Sequence, residues 1–184
     1  MELIFVRHGE TLHNAERRFQ GQSHVPLSEA GRAQAQAAAE ALRDEPITHI
    51  FTSDLRRARE TAEAIANEHD LTIVPDERLR EFDFGAWEGM TWAEIVDLSP
   101  ELLDHAPTQP RHYLPPGGES FEDVVARVRA FLEQLRALPE DARVLIVAHA
   151  GVLHAAIAVL EPPGIDPQRI AFANGSITRL TLPQ

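Results

Sequence analysis

The continuous apolar run Arg143–Ala148, with the sequence RVLIVA, constrains the fold more than any other feature of this chain. A strand that is apolar at successive positions is typical of the centre of a parallel sheet, where both faces are buried. Shorter apolar runs at residues 2–6, 48–52 and 71–74 read as three further strands, and helical patterns lie between them. This alternation predicts a three-layer α/β/α sandwich with a mostly parallel sheet.

The segments between these strands carry helix start signals. Ser28 is a suitable N-cap for a helix to about Arg43, and Ser53 or Asp54 is suitable for a second helix to about His69. The remaining helices are predicted from the capping box of Thr91 with Glu94, from Ser120 with Asp123 to about Leu138, and over residues 152–160.

The C-terminal region carries a hairpin signal. Asn174 and Gly175 separate two apolar runs at residues 170–173 and 176–182, and Asn-Gly favours a two-residue β-turn. We therefore expect a closing hairpin that gives the sheet an antiparallel edge strand. No repeat or long linker interrupts the chain, so we expect one domain over residues 1–184.

Composition excludes several classes of function. The chain has a formal net charge of −12 and contains no cysteine. Nucleic-acid binding requires clustered Lys and Arg, and disulfides, thiolate zinc sites and cysteine nucleophiles require cysteine. No apolar run approaches the roughly 18 residues of a membrane helix, and the N-terminal run is too short for a signal peptide. We expect a cytoplasmic protein with neither a nucleic acid nor a membrane as partner.

Cationic and imidazole side chains follow three of the predicted strands. Arg7 and His8 follow the first, residues 53–57 follow the second, and His149 follows Arg143–Ala148. Because ligands of open α/β sheets bind outside the carboxyl ends of the strands, these groups are expected to share one site. An arginine fork and a neutral imidazole suit a phosphate group. Gly9 is expected to let the backbone approach closely and to leave N–H groups there, its own included, free as donors.

Twelve short motifs, in this order, make the chain resemble the histidine phosphatase superfamily, also called phosphoglycerate mutase-like. They cover nearly the whole sequence and are specific only in combination. The motifs are R-H-G-E-T at 7–11, Asn14, Gln20-Gly21, Pro26-Leu27-Ser28, Gly31, residues 53–58, Thr61-Ala62, Leu79-Arg80-Glu81, Phe84-Gly85, Trp87-Glu88-Gly89, residues 117–120 and A-H-A-G at 148–151.

The resemblance implies a role for five residues. His8 matches the nucleophile that accepts the phosphoryl group, and Arg7 and Arg57 match arginines that hold the phosphate oxygens. His149 matches a second histidine that donates a hydrogen bond to the phosphoryl group. Glu81 matches a general acid, and the aromatic residues beside it could raise its pKa by desolvation.

The sequence also allows a purely structural role for each of these five residues. Arg7 and His8 could be a surface charge and a satisfied polar side chain. Arg57 could lie on a solvated helix face, and His149 could be a core histidine bonded to the backbone. Glu81 could pair at the surface with a neighbouring arginine, either Arg78 or Arg80.

A second tier of candidates for phosphate or substrate binding lies in the loop after His8. Side-chain amides and backbone N–H groups are suitable hydrogen-bond donors to phosphate oxygens. Loop asparagines are also common turn formers, so these residues rank below the first five. The candidates are Thr11, Asn14, Gln20 and Gly21.

The predicted activity is hydrolysis of small phosphomonoesters through a phosphohistidine. Two competing hypotheses are a phosphoglycerate mutase and a non-catalytic phosphate-binding domain. Arg111 is the only Arg or Lys between Glu81 and Ser120, which leaves little to hold a second phosphate and favours transfer to water. At this length the chain resembles α-ribazole phosphatases and broad-specificity phosphatases alike.

The histidine spacings do not support a metal site. His8 and His13 are five residues apart, as are His149 and His154, and such pairs would not share one face of a helix. We therefore expect no metal and no cofactor. The expected partner is a small phosphorylated metabolite, and a homodimer is left open as the assembly.

Overall fold

A five-stranded mixed sheet organises the computed structural model, which describes residues 1–100, 102, 114–162 and 165–183. The strand order is β3-β2-β4-β1-β5. Neighbouring strands are parallel except for β5, which runs antiparallel to β1. The predicted mostly parallel sheet with one antiparallel edge is confirmed. The strands are β1 (Glu2–Arg7), β2 (His49–Thr52), β3 (Ile73–Pro75), β4 (Arg143–Ala148) and β5 (Ile177–Thr181).

Helices cover both faces of this sheet. Along β1, Ile4 and Val6 pack into a cluster with residues of α2 and α3, whereas Leu3 and Phe5 pack with residues of α5 and α6. Successive side chains of a strand point to opposite faces, so the two clusters form two cores and confirm the three layers. The helices are α1 (Leu12–Ala15), α2 (Glu29–Leu42), α3 (Arg56–Ala66), α4 (Trp92–Leu98), α5 (Phe121–Leu135) and α6 (Ala150–Leu160).

The helix starts agree with the capping signals in three cases. The Ser28 hydroxyl accepts the N–H of Gly31 at the start of α2, and both predicted capping boxes close, at α4 and α5. Helix α5 ends at Leu135, three residues earlier than predicted. None of the described helices is long and apolar enough to cross a membrane.

Two local predictions need correction: the N-cap of α3 and the loop after β1. Helix α3 has Leu55 as its N-cap, because the Ser53 hydroxyl instead accepts the N–H of Leu55 just ahead of the helix. The segment predicted as a loop after β1 contains the short helix α1. This helix starts with a capping box between Thr11 and Asn14.

The predicted C-terminal hairpin is wrong. Of the two predicted hairpin strands, residues 170–173 form no strand, and the second is β5, which pairs with β1. The Asn174 side chain donates to the carbonyl of His8 and to Oδ1 of Asn14, and the Gly175 N–H donates to the carbonyl of Arg7. The Asn-Gly pair therefore fastens the C-terminal segment to the end of β1 instead of closing a hairpin.

Candidate active site

The carboxyl ends of three adjacent strands form the floor of one cleft. Beyond the last residues of β1 and β2, the N–H of His8 donates to the carbonyl of Ala148 and the N–H of Ser53 to that of Val147, each at 3.0 Å. The predicted meeting of these strand ends is confirmed. The cleft above them has a volume of about 240 Å³ and is lined by Arg7, His8, Asn14, Arg17, Arg18, Phe19, Gln20, Gly21, Arg57, Glu81, Phe84 and Ala150.

Two buried imidazoles stand side by side here: His8 lines the cleft, and His149 packs against His8 without being one of the lining residues. The ring centroids of His8 and His149 are 5.0 Å apart, and their side chains are 2% and 0% exposed. The His8 Nδ1 lies 2.6 Å from the carbonyl oxygen of Gly9. Because a carbonyl oxygen only accepts, Nδ1 carries the hydrogen, and the lone pair of a neutral His8 is on Nε2. Within the described residues neither ring nitrogen of His149 has a hydrogen-bond partner, so His149 is not a core histidine bonded to the backbone.

The environment of the two histidines favours their neutral forms. Burial lowers the pKa of His8 well below its usual 6.5, and the charges of Arg57 and Arg7 lower it further. Burial also lowers the pKa of His149, again with a contribution from Arg57. Both imidazoles are therefore uncharged at neutral pH, and His8 has a nucleophilic nitrogen without first losing a proton.

Arg57 enters the site from the first turn of α3. Its side chain is fully buried, whereas the neighbouring Arg56 and Arg59 are exposed, which rules out the solvated helix face. The guanidinium donates from Nε to Nε2 of His8 at 3.3 Å. Its two terminal nitrogens donate to the carbonyls of Ser23 and Gly21, each at 2.8 Å. Burial lowers the pKa of Arg57 to about 10, so the group remains charged at pH 7.

Arg7 supplies the second guanidinium of the base of the cleft. Its Nη1 donates to the carbonyl of Phe172, in the segment that precedes the Asn174 turn. Arg7 is thus held from the C-terminal side of the chain, whereas Arg57 is held by the loop that contains Gly21 and Ser23.

Glu81 reaches the cleft from a segment without regular secondary structure. Its Oε1 accepts the N–H of Phe82 at 2.9 Å and that of Gly151 at 3.1 Å, near the N-terminus of α6. A Cβ at position 151 would lie 2.2 Å from this oxygen, so glycine permits the approach. Among the described residues Arg80 pairs with Asp54 and Arg78 with Asp76. Glu81 is therefore not held by surface pairing.

The second-tier candidates divide into two groups. Asn14, Gln20 and Gly21 line the cleft, whereas Thr11 is buried, caps α1 and donates from its hydroxyl to Oε1 of Gln20 at 2.7 Å. Thr11 thus supports the cleft lining and does not form it.

The expectation of a free N–H at Gly9 is wrong. That N–H donates to the Thr61 hydroxyl on α3 at 3.1 Å. The same hydroxyl donates to the carbonyl of Arg57 at 2.8 Å. Thr61 therefore ties the turn after His8 to the helix that carries Arg57.

Several site residues were not predicted from the sequence. Asn174 holds the His8 carbonyl and Asn14, and Arg17 and Arg18 line the cleft. The half-buried Glu88 accepts the N–H of Gln22 at 2.6 Å, and burial raises its pKa. Asn174 pairs with residues at least 160 positions away, and no local pattern signals such a contact. The segment around Arg111 lies outside the described residues.

Comparisons with known proteins show the family of this chain. The sequence matches the histidine phosphatase superfamily (branch 1) over residues 3–184. It is 38% identical over 185 residues to a probable phosphoglycerate mutase GpmB of Photorhabdus laumondii subsp. laumondii, covering 98% of this chain and 84% of that protein. A mycobacterial glucosyl-3-phosphoglycerate phosphatase, solved with VO3, superposes with a TM-score of 0.88 at 38% identity, covering 98% of this chain and 92% of that one.

A third similarity concerns one of the classes that the sequence left open. The α-ribazole phosphatase of Shigella flexneri superposes with a TM-score of 0.88 at 25% identity, covering 100% of this chain and 92% of that chain. The family match spans nearly the full sequence, and the structure brings Arg7, His8, Arg57 and Glu81 into one cleft. The chain belongs to the histidine phosphatase superfamily.

Proposed function

We propose that the protein is a phosphomonoesterase that hydrolyses small phosphate esters through a phosphohistidine on His8. The observation that carries the proposal is the state of that imidazole. Nδ1 gives its hydrogen to the Gly9 carbonyl, so Nε2 has its lone pair beside the guanidinium of Arg57 and the ring of His149. A neutral nucleophile next to fixed positive charge suits attack on a phosphoryl group.

In the first step Nε2 of His8 attacks phosphorus and the bond from phosphorus to the ester oxygen breaks. Arg7 and Arg57 hold the phosphoryl oxygens, and His149 donates a hydrogen bond to one of them. For that donation His149 uses the ring nitrogen that carries its hydrogen. The protonated carboxyl of Glu81 gives its proton to the leaving oxygen, which departs as an alcohol.

In the second step water attacks the phosphorus of the phosphohistidine and the P–N bond breaks. The Glu81 carboxylate accepts a proton from this water and returns to its starting form. The products are inorganic phosphate and free His8. The sum of the two steps is one ester and one water converted to one alcohol and one phosphate.

The relatives support phosphorylated hydroxy acids as a substrate class to test first. A mycobacterial neighbour is named as a glucosyl-3-phosphoglycerate phosphatase, and a curated relative as a probable phosphoglycerate mutase. Arg17 at the cleft adds positive charge beyond that of Arg7 and Arg57, whereas Arg18, which also lines the cleft, is already paired with Glu16 and Glu94. A second anionic group on the substrate would be attracted to this charge.

Hydrolysis of p-nitrophenyl phosphate in the presence of EDTA tests the proposed reaction. We expect nitrophenol and phosphate to be released at the same rate with and without EDTA, since no step of the proposed mechanism uses a metal. A panel of phosphorylated hydroxy acids then ranks natural substrates by kcat/KM. Turnover that depends wholly on added metal would contradict the mechanism. Tight binding of esters without any turnover would instead support a non-catalytic phosphate-binding domain.

Phosphoglycerate mutase activity is the second candidate, because of the name of the curated relative. It requires transfer of the phosphoryl group from His8 to a second hydroxyl in place of water. A coupled assay for 2-phosphoglycerate, started from 3-phosphoglycerate with a bisphosphorylated primer, tests it. We expect inorganic phosphate as the main product.

The cytoplasmic location expected from the sequence stays a prediction.

A further inference from the structure

Arg127 binds the segment that carries Glu81. This arginine lies on α5, and its Nη1 donates to the carbonyls of Arg78 at 2.7 Å and Arg80 at 2.6 Å. Its Nη2 donates to the carbonyl of Glu81 itself at 3.1 Å. One guanidinium therefore satisfies three backbone carbonyls of a short stretch of chain.

Glu119 completes the grip from the other side. Its carboxylate accepts hydrogen bonds from Nε of Arg127 at 3.0 Å and from Nη2 at 2.9 Å, which makes a bidentate ion pair. The side chains are 16% exposed for Arg127 and 23% exposed for Glu119. The carboxylate also accepts the N–H of Asp83 at 3.0 Å, and the Glu119 N–H donates to the Asp83 carbonyl at 3.0 Å. We name the pair of Arg127 and Glu119 the clamp.

The clamp takes the place of regular secondary structure around Glu81. Residues 80–84 belong to no helix or strand, so no ladder of backbone hydrogen bonds fixes them. Their polar groups still need partners when partly buried. The clamp supplies these on both sides of Glu81, through the carbonyls before it and the amide after it. At the same time α6 holds the Glu81 carboxylate through the N–H of Gly151.

We infer that the clamp positions Glu81 for proton transfer to the leaving oxygen. Arg127 and Glu119 are positioning residues that act through the backbone of Glu81. This inference rests on the proposed function, because it assigns a role to the general acid of that reaction. A planar guanidinium can hold three carbonyls and a carboxylate at once, whereas the compact ammonium of lysine cannot.

Leaving-group dependence separates positioning from support of the fold. An alkoxide requires the proton of Glu81 to depart, whereas a nitrophenolate leaves with little help. The variants are Arg127→Lys, Glu81→Gln and their combination, and the substrates are an alkyl phosphate and p-nitrophenyl phosphate. The value of kcat/KM is used because it reports steps up to the first phosphoryl transfer. Arg129→Lys is the control, since Arg129 lies on the same helix and is exposed.

We expect Arg127→Lys to lower kcat/KM for both substrates unequally. The fold-loss for the alkyl phosphate should be about ten times the fold-loss for the aryl phosphate. In the Glu81→Gln background Arg127→Lys should change neither value by more than about twofold, because the group that it positions is gone. Arg129→Lys should match the wild type. Where Arg127→Lys fails to fold, Glu119→Gln takes its place, because it removes the negative charge and one of the two acceptors of the same pair.

The inference is overturned if Arg127→Lys lowers kcat/KM equally for both substrates, or if its effect is undiminished in the Glu81→Gln background. Either result would show that the clamp supports the fold or the phosphate site alone. A wild-type protein that hydrolyses neither substrate would overturn the proposed function and the inference together. A wild-type protein that hydrolyses both, with additive variants, would overturn the clamp alone.

Discussion

The Nε–H of Arg57 points at Nε2 of His8 across 3.3 Å, so the arginine caps the lone pair that the proposed reaction uses. The terminal nitrogens of the same guanidinium are held by the carbonyls of Gly21 and Ser23. This fixes the plane of the group before substrate arrives. When Nε2 of His8 attacks phosphorus, the Nε–H of Arg57 can donate its hydrogen bond to a phosphoryl oxygen instead. Negative charge develops at that oxygen in the transition state.

Arg57→Lys should separate this fixed geometry from charge alone. Lysine keeps the charge but cannot donate to His8, Gly21 and Ser23 together. We expect kcat/KM for p-nitrophenyl phosphate to fall by about 10²–10³-fold. The exposed Arg59 on the same helix gives the control Arg59→Lys, with unchanged kinetics. A loss below about fivefold for Arg57→Lys would mean that the capping contact is dispensable.

Gly151→Ala should displace the general acid without damaging the fold. The added Cβ would meet Oε1 of Glu81 at 2.2 Å, and the end of a flexible side chain can move away. Displacing a reacting group by about 1 Å costs on the order of 10²-fold in rate. We expect kcat/KM for an alkyl phosphate to fall by roughly that factor while the thermal midpoint changes little. An unaltered rate would show that the Glu81 carboxylate has no fixed place in the reaction.

Stability should fall in mild acid because of the two buried imidazoles. The pKa of His8 and of His149 is lowered in the folded protein by burial, so below about pH 6.5 the unfolded chain binds protons that the folded chain refuses. The free energy of unfolding then decreases as pH falls, by at most about 1.4 kcal/mol per pH unit for each histidine. Denaturant titrations between pH 8 and 5 measure this.

A variant without one of these rings gives the matched comparison. His149→Asn should show a shallower decrease of unfolding free energy below pH 6.5 than the wild type, and His24→Asn, at an exposed position, should follow the wild type. Equal slopes in all three proteins would mean that the buried histidines do not account for the acid sensitivity.

Arg17 combines a strained backbone with a place at the cleft. Its φ is 55°, in the left-handed region that favours glycine, and its side chain lines the cleft. Arg17→Gly should raise the free energy of unfolding by about 1 kcal/mol. The same change should raise KM for a phosphorylated hydroxy acid by about threefold, the effect of losing an exposed charge contact. Arg17→Lys should keep KM nearer the wild type, and an unchanged KM in Arg17→Gly would remove this residue from substrate binding.

The strands were predictable because apolar runs report burial directly. The prediction for β4 agrees at both ends and that for β1 within one residue, whereas β3, at the sheet edge, begins two residues later than predicted. The hairpin failed for a different reason. Asn-Gly favours a turn locally, but here the side chain of Asn174 bonds to His8 and Asn14. A tertiary contact thus replaced the strand pairing that the pattern indicated.

The base of the site was predictable because strand ends meet at one edge of a parallel sheet. This rule, together with the family's motifs, brought His8, Arg57 and His149 together correctly. The supporting contacts were not predictable. Arg127 bonds to backbone carbonyls, and a carbonyl carries no mark in the sequence. Likewise the left-handed backbone at Arg17 has no glycine to signal it.

Trapping the phosphoenzyme tests the central claim most directly. The wild-type protein, quenched during turnover of a small phosphate ester and digested, should carry an acid-labile phosphoryl group on the peptide that contains His8. The control His24→Ala should carry the same group, and His8→Ala should carry none and should lose turnover. A phosphoryl group on another residue, or one that persists in His8→Ala, would contradict the account.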